Sequence, residues 1–255
     1  MPRYKLTIEY DGTDFVGWQR QENGHSVQAA IENSVRAYCQ VDALVQGAGR
    51  TDSGVHALAQ VAHVDLPRSD LPAVVANALN AHLRPQPISI VKVESVDDNF
   101  HARFSALERS YEYRILNRSG RPELDANHVW WVSLPLDVDA MRRAAQCLVG
   151  QHDFTTFRAS VCQAESPVKT LNEISIFRRG ELVVVKVKAR SFLHHQVRNI
   201  VGTLKLVGAK KWAEVGVKEA LDARDRVAGG PTAPPEGLYL TRVRYHNEQK
   251  VSEKI

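Results

Sequence analysis

Cysteine is scarce. The chain has three, Cys39, Cys147 and Cys162, odd in number, far apart and without a C-x-x-C pair. That spacing gives no basis for a disulfide framework or a zinc ribbon and suits a reducing compartment. Long apolar runs are missing too: nothing approaches the ~20 residues of a membrane-spanning helix. The start, Met1-Pro2-Arg3-Tyr4-Lys5, passes straight into a strand pattern with no leader-like stretch, so a cytoplasmic protein without membrane attachment is expected. Neither sign of charge dominates. Lys and Arg number 33 against 29 Asp and Glu, a net charge of +4, which permits nucleic-acid binding without requiring it. There is no short-period repeat and no low-complexity tract. Two catalytic fingerprints also fail. Gly47-x-Gly49 is followed by Asp52 where a dinucleotide site needs a third glycine. Ser53 lacks the glycines at Thr51 and Val55 that a hydrolase elbow demands.

The 255 residues allow one large domain or two of ordinary size, and 44% hydrophobic with 24% charged residues is ordinary for a globular protein. Tyr4, Leu6, Ile8 and Tyr10 alternate against Lys5, Thr7 and Glu9 as in a half-buried strand. Ser26 is placed to cap a helix running to about Gln40, with Val27, Ile31, Val35 and Tyr38 on one face. A strand follows over Gln60 to Leu66, then a helix over Pro72 to Leu83 and a strand over Ile88 to Val96. Later come a strand at Tyr111 to Leu116, a helix over Asp137 to Leu148 stopped by Gly150, and a strand over Leu182 to Arg190. A helix stripe spans Leu193, Val197, Ile200, Val201 and Leu204, and a last strand covers Leu238 to Tyr245. The final ten residues read as a polar, frayed end. Strand–helix alternation in both halves predicts a two-domain pseudo-repeat, 1–105 and 106–255.

The densest stretch is Gly47-Ala48-Gly49-Arg50-Thr51-Asp52-Ser53-Gly54-Val55-His56-Ala57, with three glycines in eight residues and an acid near a base. Taken alone it is a tight turn whose Asp bonds its own backbone, or a loop that presents Arg50 and Asp52 beside a sheet. Phe15 and Trp18 in Phe15-Val16-Gly17-Trp18-Gln19 read as a plug at the end of the core more readily than as base-stacking rings. Tyr111, Tyr113 and Ile115 share one strand face, so Tyr111 by itself is a core tyrosine with a satisfied hydroxyl. Lys186, Lys188 and Arg190 alternate with Val183, Val185, Val187 and Ala189. They form either a solvated face or a row of phosphate contacts. His152-Asp153 reads as structural. In Phe192-Leu193-His194-His195-Gln196-Val197-Arg198, neighbouring histidines lack the i, i+4 spacing of a helical metal site, and Gly202 is placed to admit another backbone closely.

The run Gly49-Arg50-Thr51-Asp52-Ser53-Gly54-Val55-His56-Ala57 closely resembles the catalytic motif of the tRNA pseudouridine synthase TruA family. Ser53 stands where many members have alanine. Five further segments resemble that family in its order: Phe15–Gln21, Arg109-x-Tyr111-x-Tyr113, Gln151–Arg158, Phe192–Gly202 and Gly229–Leu240. The resemblance covers nearly the whole chain. It implies a pseudouridine synthase fold of class α+β, two similar α/β domains with mainly antiparallel sheets around a central RNA-binding cleft. It implies an isomerase that turns uridine into pseudouridine at positions 38, 39 and 40 of the tRNA anticodon stem-loop, acting as a homodimer. It assigns catalysis to Asp52, base flipping to Arg50, stacking on the target uracil to Tyr111, and the place against the aspartate to Arg198.

That chemistry breaks N1–C1′ of uridine and rejoins the base through C5, with no redox change and no hydrolysis. No cofactor and no metal are therefore expected; one ionised carboxylate suffices as nucleophile or as a stabiliser of cationic sugar. Two rival classes remain open at this point. An RNA-binding module would use the basic strand and aromatics and leave Asp52 expendable. A metal-dependent hydrolase would gather His56, His63, His194 and His195 around an ion.

Overall fold

The structure is a computed structural model that describes residues 1–22 and 24–246. The polar end expected over the last ten residues therefore lies almost wholly outside the described residues. In chain order the elements begin with β1 (Arg3–Tyr10), α1 (Val27–Cys39), β2 (Gln46–Gly47), β3 (His56–Asp65), α2 (Pro72–Leu83), β4 (Ile88–Val96) and β5 (Glu108–Asn117). They continue with β6 (Trp130–Val132), α3 (Val138–Ala145), β7 (Gly150–Asp153), β8 (Val168–Arg179) and β9 (Leu182–Ala189). The last are α4 (Gln196–Gly208), α5 (Val215–Ala223) and β10 (Leu238–Arg244).

The strands form one sheet in the order β4-β1-β3-β10-β5-β9-β8-β7, with β2 on β3 and β6 on β5. It is antiparallel except where β10 meets β3 and where β6 meets β5. β10, the last strand among the described residues, thus fills the middle of the sheet, pairing Tyr239 with His56 and Leu240 with Ala57 on one side and Leu240 with Tyr111 on the other. The fold is the mixed, mainly antiparallel one expected, but the two halves share a single continuous sheet. Residue 105 falls in the link between β4 and β5.

Local sequence explains the well-anticipated elements. Ser26 Oγ accepts from Ala29 N at 3.3 Å and opens α1, whose Val27, Ile31 and Val35 are buried. Pro72 begins α2, where a missing N–H costs nothing, and Val75, Leu79 and Leu83 are the residues it buries. In α3, Asp137 Oδ1 accepts from Ala140 N at 2.9 Å; the α-helix ends at Ala145 and a 3-10 turn completes the expected span. Helix α2 packs on β4, and α3 on β8 and α4, so α2 covers part of the first half of the sheet and α3 part of the second. Phe15 and Trp18 are both buried in the core, as a plug should be.

Two elements begin elsewhere than periodicity indicates. β3 starts at His56, inside the Gly-rich motif, because His56 and Ala57 are both buried and the two-residue alternation is lost there. Helix α4 starts at Gln196 rather than near Leu193, because His195 adopts a left-handed conformation (φ 62°, ψ 3°) that no helix can pass through.

Candidate active site

The loop from Gly47 to Val55 is held from three directions. Trp18 N donates to Thr51 O at 3.1 Å, and Tyr10 Oη lies 2.8 Å from Thr51 Oγ1. Ser53 Oγ donates to Phe15 O at 3.1 Å. Gln60 Nε2 donates to Gly49 O at 2.8 Å, and Arg109 Nη2 to Ala48 O at 2.7 Å. Gly17 is in the left-handed region (φ 112°), and a Cβ there would lie 2.6 Å from Thr51 O. Only glycine allows the Phe15–Trp18 segment to lie this close under the loop.

At the apex Asp52 turns its carboxylate toward the N-terminal end of α4. Arg198 Nη1 donates to Asp52 Oδ2 at 3.0 Å, while its Nε donates to Ala233 O at 2.8 Å. The ion pair is largely sheltered, with side-chain exposures of 13% for Arg198 and 22% for Asp52. His195 Nε2 lies 3.4 Å from the same Oδ2, and His194 Nε2 lies 3.3 Å from Oδ1. Burial pushes the His195 imidazole below its ordinary range, keeping it neutral, with Arg198, His194 and Arg226 outweighing part of the pull from Asp52. Tyr111 is buried, its ring edge-on to Phe192 at 5.2 Å. Its hydroxyl is pushed far up by burial first and by the Asp52 charge second. One carboxylate thus sits among a guanidinium, two imidazoles and a tyrosine, a setting for nucleophilic or charge-stabilising chemistry.

The other expected residues divide. Arg50 is exposed and its Nη1 donates to Gln163 Oε1 at 3.4 Å. Lys186 and Lys188 pair in register with Glu112 and Ser110 of β5, while Tyr111 pairs with Val187. Side chains alternate across a strand, so the two lysines lie on the sheet face opposite Tyr111. Lys188 Nζ is 3.1 Å from Glu173 Oε2 on the neighbouring strand, an acid that the spacing within β9 did not reveal. Arg190 lies just past the end of β9 and is exposed. His152 and Asp153 are structural: His152 Nε2 lies 2.9 Å from Val149 O, and Asp153 Oδ1 accepts from Thr155 N at 2.9 Å.

Sequence reasoning missed two groups. The first is the histidine pair. Adjacent residues diverge in a regular helix, but the left-handed turn at His195 brings both rings to the same carboxylate. The second is Arg109, whose buried guanidinium donates to Ala48 O and Arg103 O, each at 2.7 Å, and to Arg190 O at 2.6 Å. Its signal was present, since Arg109, Tyr111 and Tyr113 alternate onto one face.

The four histidines of the hydrolase reading do not converge. His56 and His63 are seven residues apart on β3, about 23 Å at strand rise. Two smaller groups do bring ligand atoms within 4.8 Å of one another: Asp52 with His194 and His195, and Asp11 with His56 and His128. In the first, the Arg198 guanidinium already occupies Oδ2 and opposes a second cation. In the second, His56 Nδ1 accepts from Gly12 N at 3.0 Å and Nε2 faces Asn127 O at 2.9 Å, so both ring nitrogens are engaged.

Comparison with known proteins identifies the family. A family model described as tRNA pseudouridine synthase matches residues 6–105 and 144–246. The tRNA pseudouridine synthase A of Rhodospirillum rubrum is 57% identical over all of this chain and 91% of its own length. Those of Paramagnetospirillum magneticum and Rhodospirillum centenum are 56% and 58% identical, each over 96% of this chain, covering 96% and 100% of their own lengths. Among solved structures, a chain of a Cbf5-Nop10-Gar1 complex aligns with a TM-score of 0.38 at 13% identity, over 93% of this chain and 49% of that one. With the motif segments in order and two matched stretches spanning most of its length, the chain belongs to the tRNA pseudouridine synthase family.

Proposed function

We propose that this protein isomerises uridine to pseudouridine in tRNA, at positions 38, 39 and 40 of the anticodon stem-loop, with Asp52 as the reacting carboxylate. The observation that carries the reading is the Asp52–Arg198 pair at 3.0 Å, set beside Tyr111 at the head of a braced loop. A fixed guanidinium holds a carboxylate aimed where positive charge develops on the sugar. Residues 1–105 supply the Asp52 loop, and residues 106–255 complete the site with Tyr111 and Arg198.

The target uridine has to leave its helix, at a cost of a few kcal/mol. On this reading Arg50 enters the vacated space and meets phosphate, and Tyr111 stacks on the uracil, a contact worth about 1–3 kcal/mol. The three carbonyls bound by Arg109 gather the exposed Arg103 and Arg190, with the exposed Arg50 two residues beyond Ala48. This suggests a basic rim for the RNA backbone. Phosphate contact by Lys186 and Lys188 requires RNA that reaches the back of the sheet. The reaction is redox-neutral and needs neither an activated water nor a cofactor. A cytoplasmic homodimer completes the reading.

Incubating the purified protein with unmodified tRNA transcripts and mapping pseudouridine tests it. Conversion at 38, 39 and 40 is the expected result; transcripts that remain unmodified would refute the reading.

A further inference from the structure

We propose that His194, backed by His195, is the base that takes the proton from uracil C5 and returns it to N1. This rests on Asp52 as the reacting carboxylate.

The reaction needs such a group. The N1–C1′ bond breaks with its electron pair going to N1. C5 then bonds to C1′ and for a moment carries both the sugar and its hydrogen. The C5–H pair must return to the ring as the proton leaves, and N1 must gain one proton. A single imidazole that accepts at C5 and gives at N1 closes this balance with no co-reactant.

The geometry distinguishes the two carboxylate oxygens. Oδ2 is held by Arg198 at 3.0 Å and bordered by His195 at 3.4 Å. Oδ1 has His194 Nε2 beside it at 3.3 Å. The oxygen free to turn toward C1′ is Oδ1, and His194 borders it. Both imidazole contacts are longer than an ordinary hydrogen bond, so the rings adjoin the carboxylate without being locked to it. The His194 side chain is the more open of the two, at 38% exposure against 28% for His195.

The backbone supports a functional reading. A non-glycine residue at φ 62° is strained, and such strain persists where a site requires it. Here it sets two neighbouring rings 4.0 Å apart over one carboxylate. Arg198 from α4, Arg226 from the turn after α5, and Asp52 all face His195, and its burial keeps it neutral. A neutral neighbour leaves His194 free to gain a proton without a second imidazolium beside it.

The test compares two tRNA substrates, one with uridine and one with 5-fluorouridine at the target position. Fluorine replaces the departing proton, so the second substrate can rejoin through C5 without deprotonation. In single turnover, His194→Gln should slow the uridine reaction by about 10²-fold or more, and His195→Gln by less. Both variants should rearrange 5-fluorouridine at the parent rate. Equal slowing of both substrates would show a merely structural role, and an unaffected uridine rate would show no role; either overturns the proposal. Asp52→Asn should stop both substrates, which separates failure of the carboxylate assignment from failure of this one.

Discussion

Arg198 and Asp52 are 146 residues apart in sequence and meet through Nη1 and Oδ2 at 3.0 Å. The arginine does not search for this geometry. Its Nε is bonded to Ala233 O at 2.8 Å, and its own carbonyl accepts from Ala233 N at 3.1 Å. A planar fork can hold both partners; a lysine ammonium on a flexible stem cannot. Arg198→Lys should therefore lower single-turnover pseudouridine formation by about 10- to 100-fold, the range for losing a charged hydrogen bond. Affinity for tRNA, measured by filter binding, should change little. An unchanged rate would mean that the pair does not prepare the carboxylate.

Gly202 carries the segment that locks this arginine. A Cβ at Gly202 would lie 1.7 Å from Pro231 O and 3.1 Å from Ala233 N. In most helices, glycine to alanine stabilises. Here Gly202→Ala should destabilise by about 1–3 kcal/mol, as overpacking does, and displace Ala233 from Arg198. Urea denaturation measures the first effect. Activity at temperatures where the variant is fully folded measures the second, and it should fall as well. A more stable variant would contradict the packing described.

Acid should weaken the fold through buried histidines. Burial, aided by His101 and Arg3, pushes His63 down to about 4, and burial also lowers His56. Unfolded histidine titrates near 6.5, so between about pH 6.5 and 4 the unfolded chain binds a proton that folded His63 refuses. Stability should therefore fall as pH drops through that window, by up to about 1.4 kcal/mol per pH unit for this group. In His63→Asn the dependence of the urea midpoint on pH should be shallower. A slope equal to the parent's would show that His63 is not its source.

The basic row can be divided by salt dependence. Removing one side chain that touches phosphate should lower the slope of log affinity against log salt by roughly 0.7–0.9. Arg190→Ala should do so, since its backbone is tied by Arg109 to the loop that carries Asp52. Lys186→Ala and Lys188→Ala should not, unless RNA wraps behind the sheet. Three unchanged slopes would leave the whole row a solvated face.

Much of this was legible in the chain. α2 was bounded to the residue, because Pro72 and the Val75–Leu79–Leu83 spacing leave little choice. Asp52, Tyr111 and Arg198 were named by the motifs, and the structure brings these three together. What was not legible came from two physical causes. The central strand junction loses its alternation because β10 and β3 are buried where they meet, so β3 hid its first residues. The histidine pair was hidden by the assumption of regular backbone: spacing rules hold only while φ stays negative, and His195 breaks them. The back-face position of Lys186 and Lys188 needed the register of β5, which no run within β9 contains.

Single-turnover conversion of uridine by Asp52→Asn at saturating enzyme tests the central claim most directly. The amide keeps the shape of the side chain and removes the charge that Arg198 faces. The variant should fold, with a melting temperature near the parent's, and bind tRNA, because phosphate contacts supply most of that affinity. Pseudouridine formation should be abolished, since an amide neither attacks as a carboxylate does nor offsets positive charge on the sugar. Conversion within about tenfold of the parent rate, less than removal of one charge-stabilising group ordinarily costs, would contradict the account of the site.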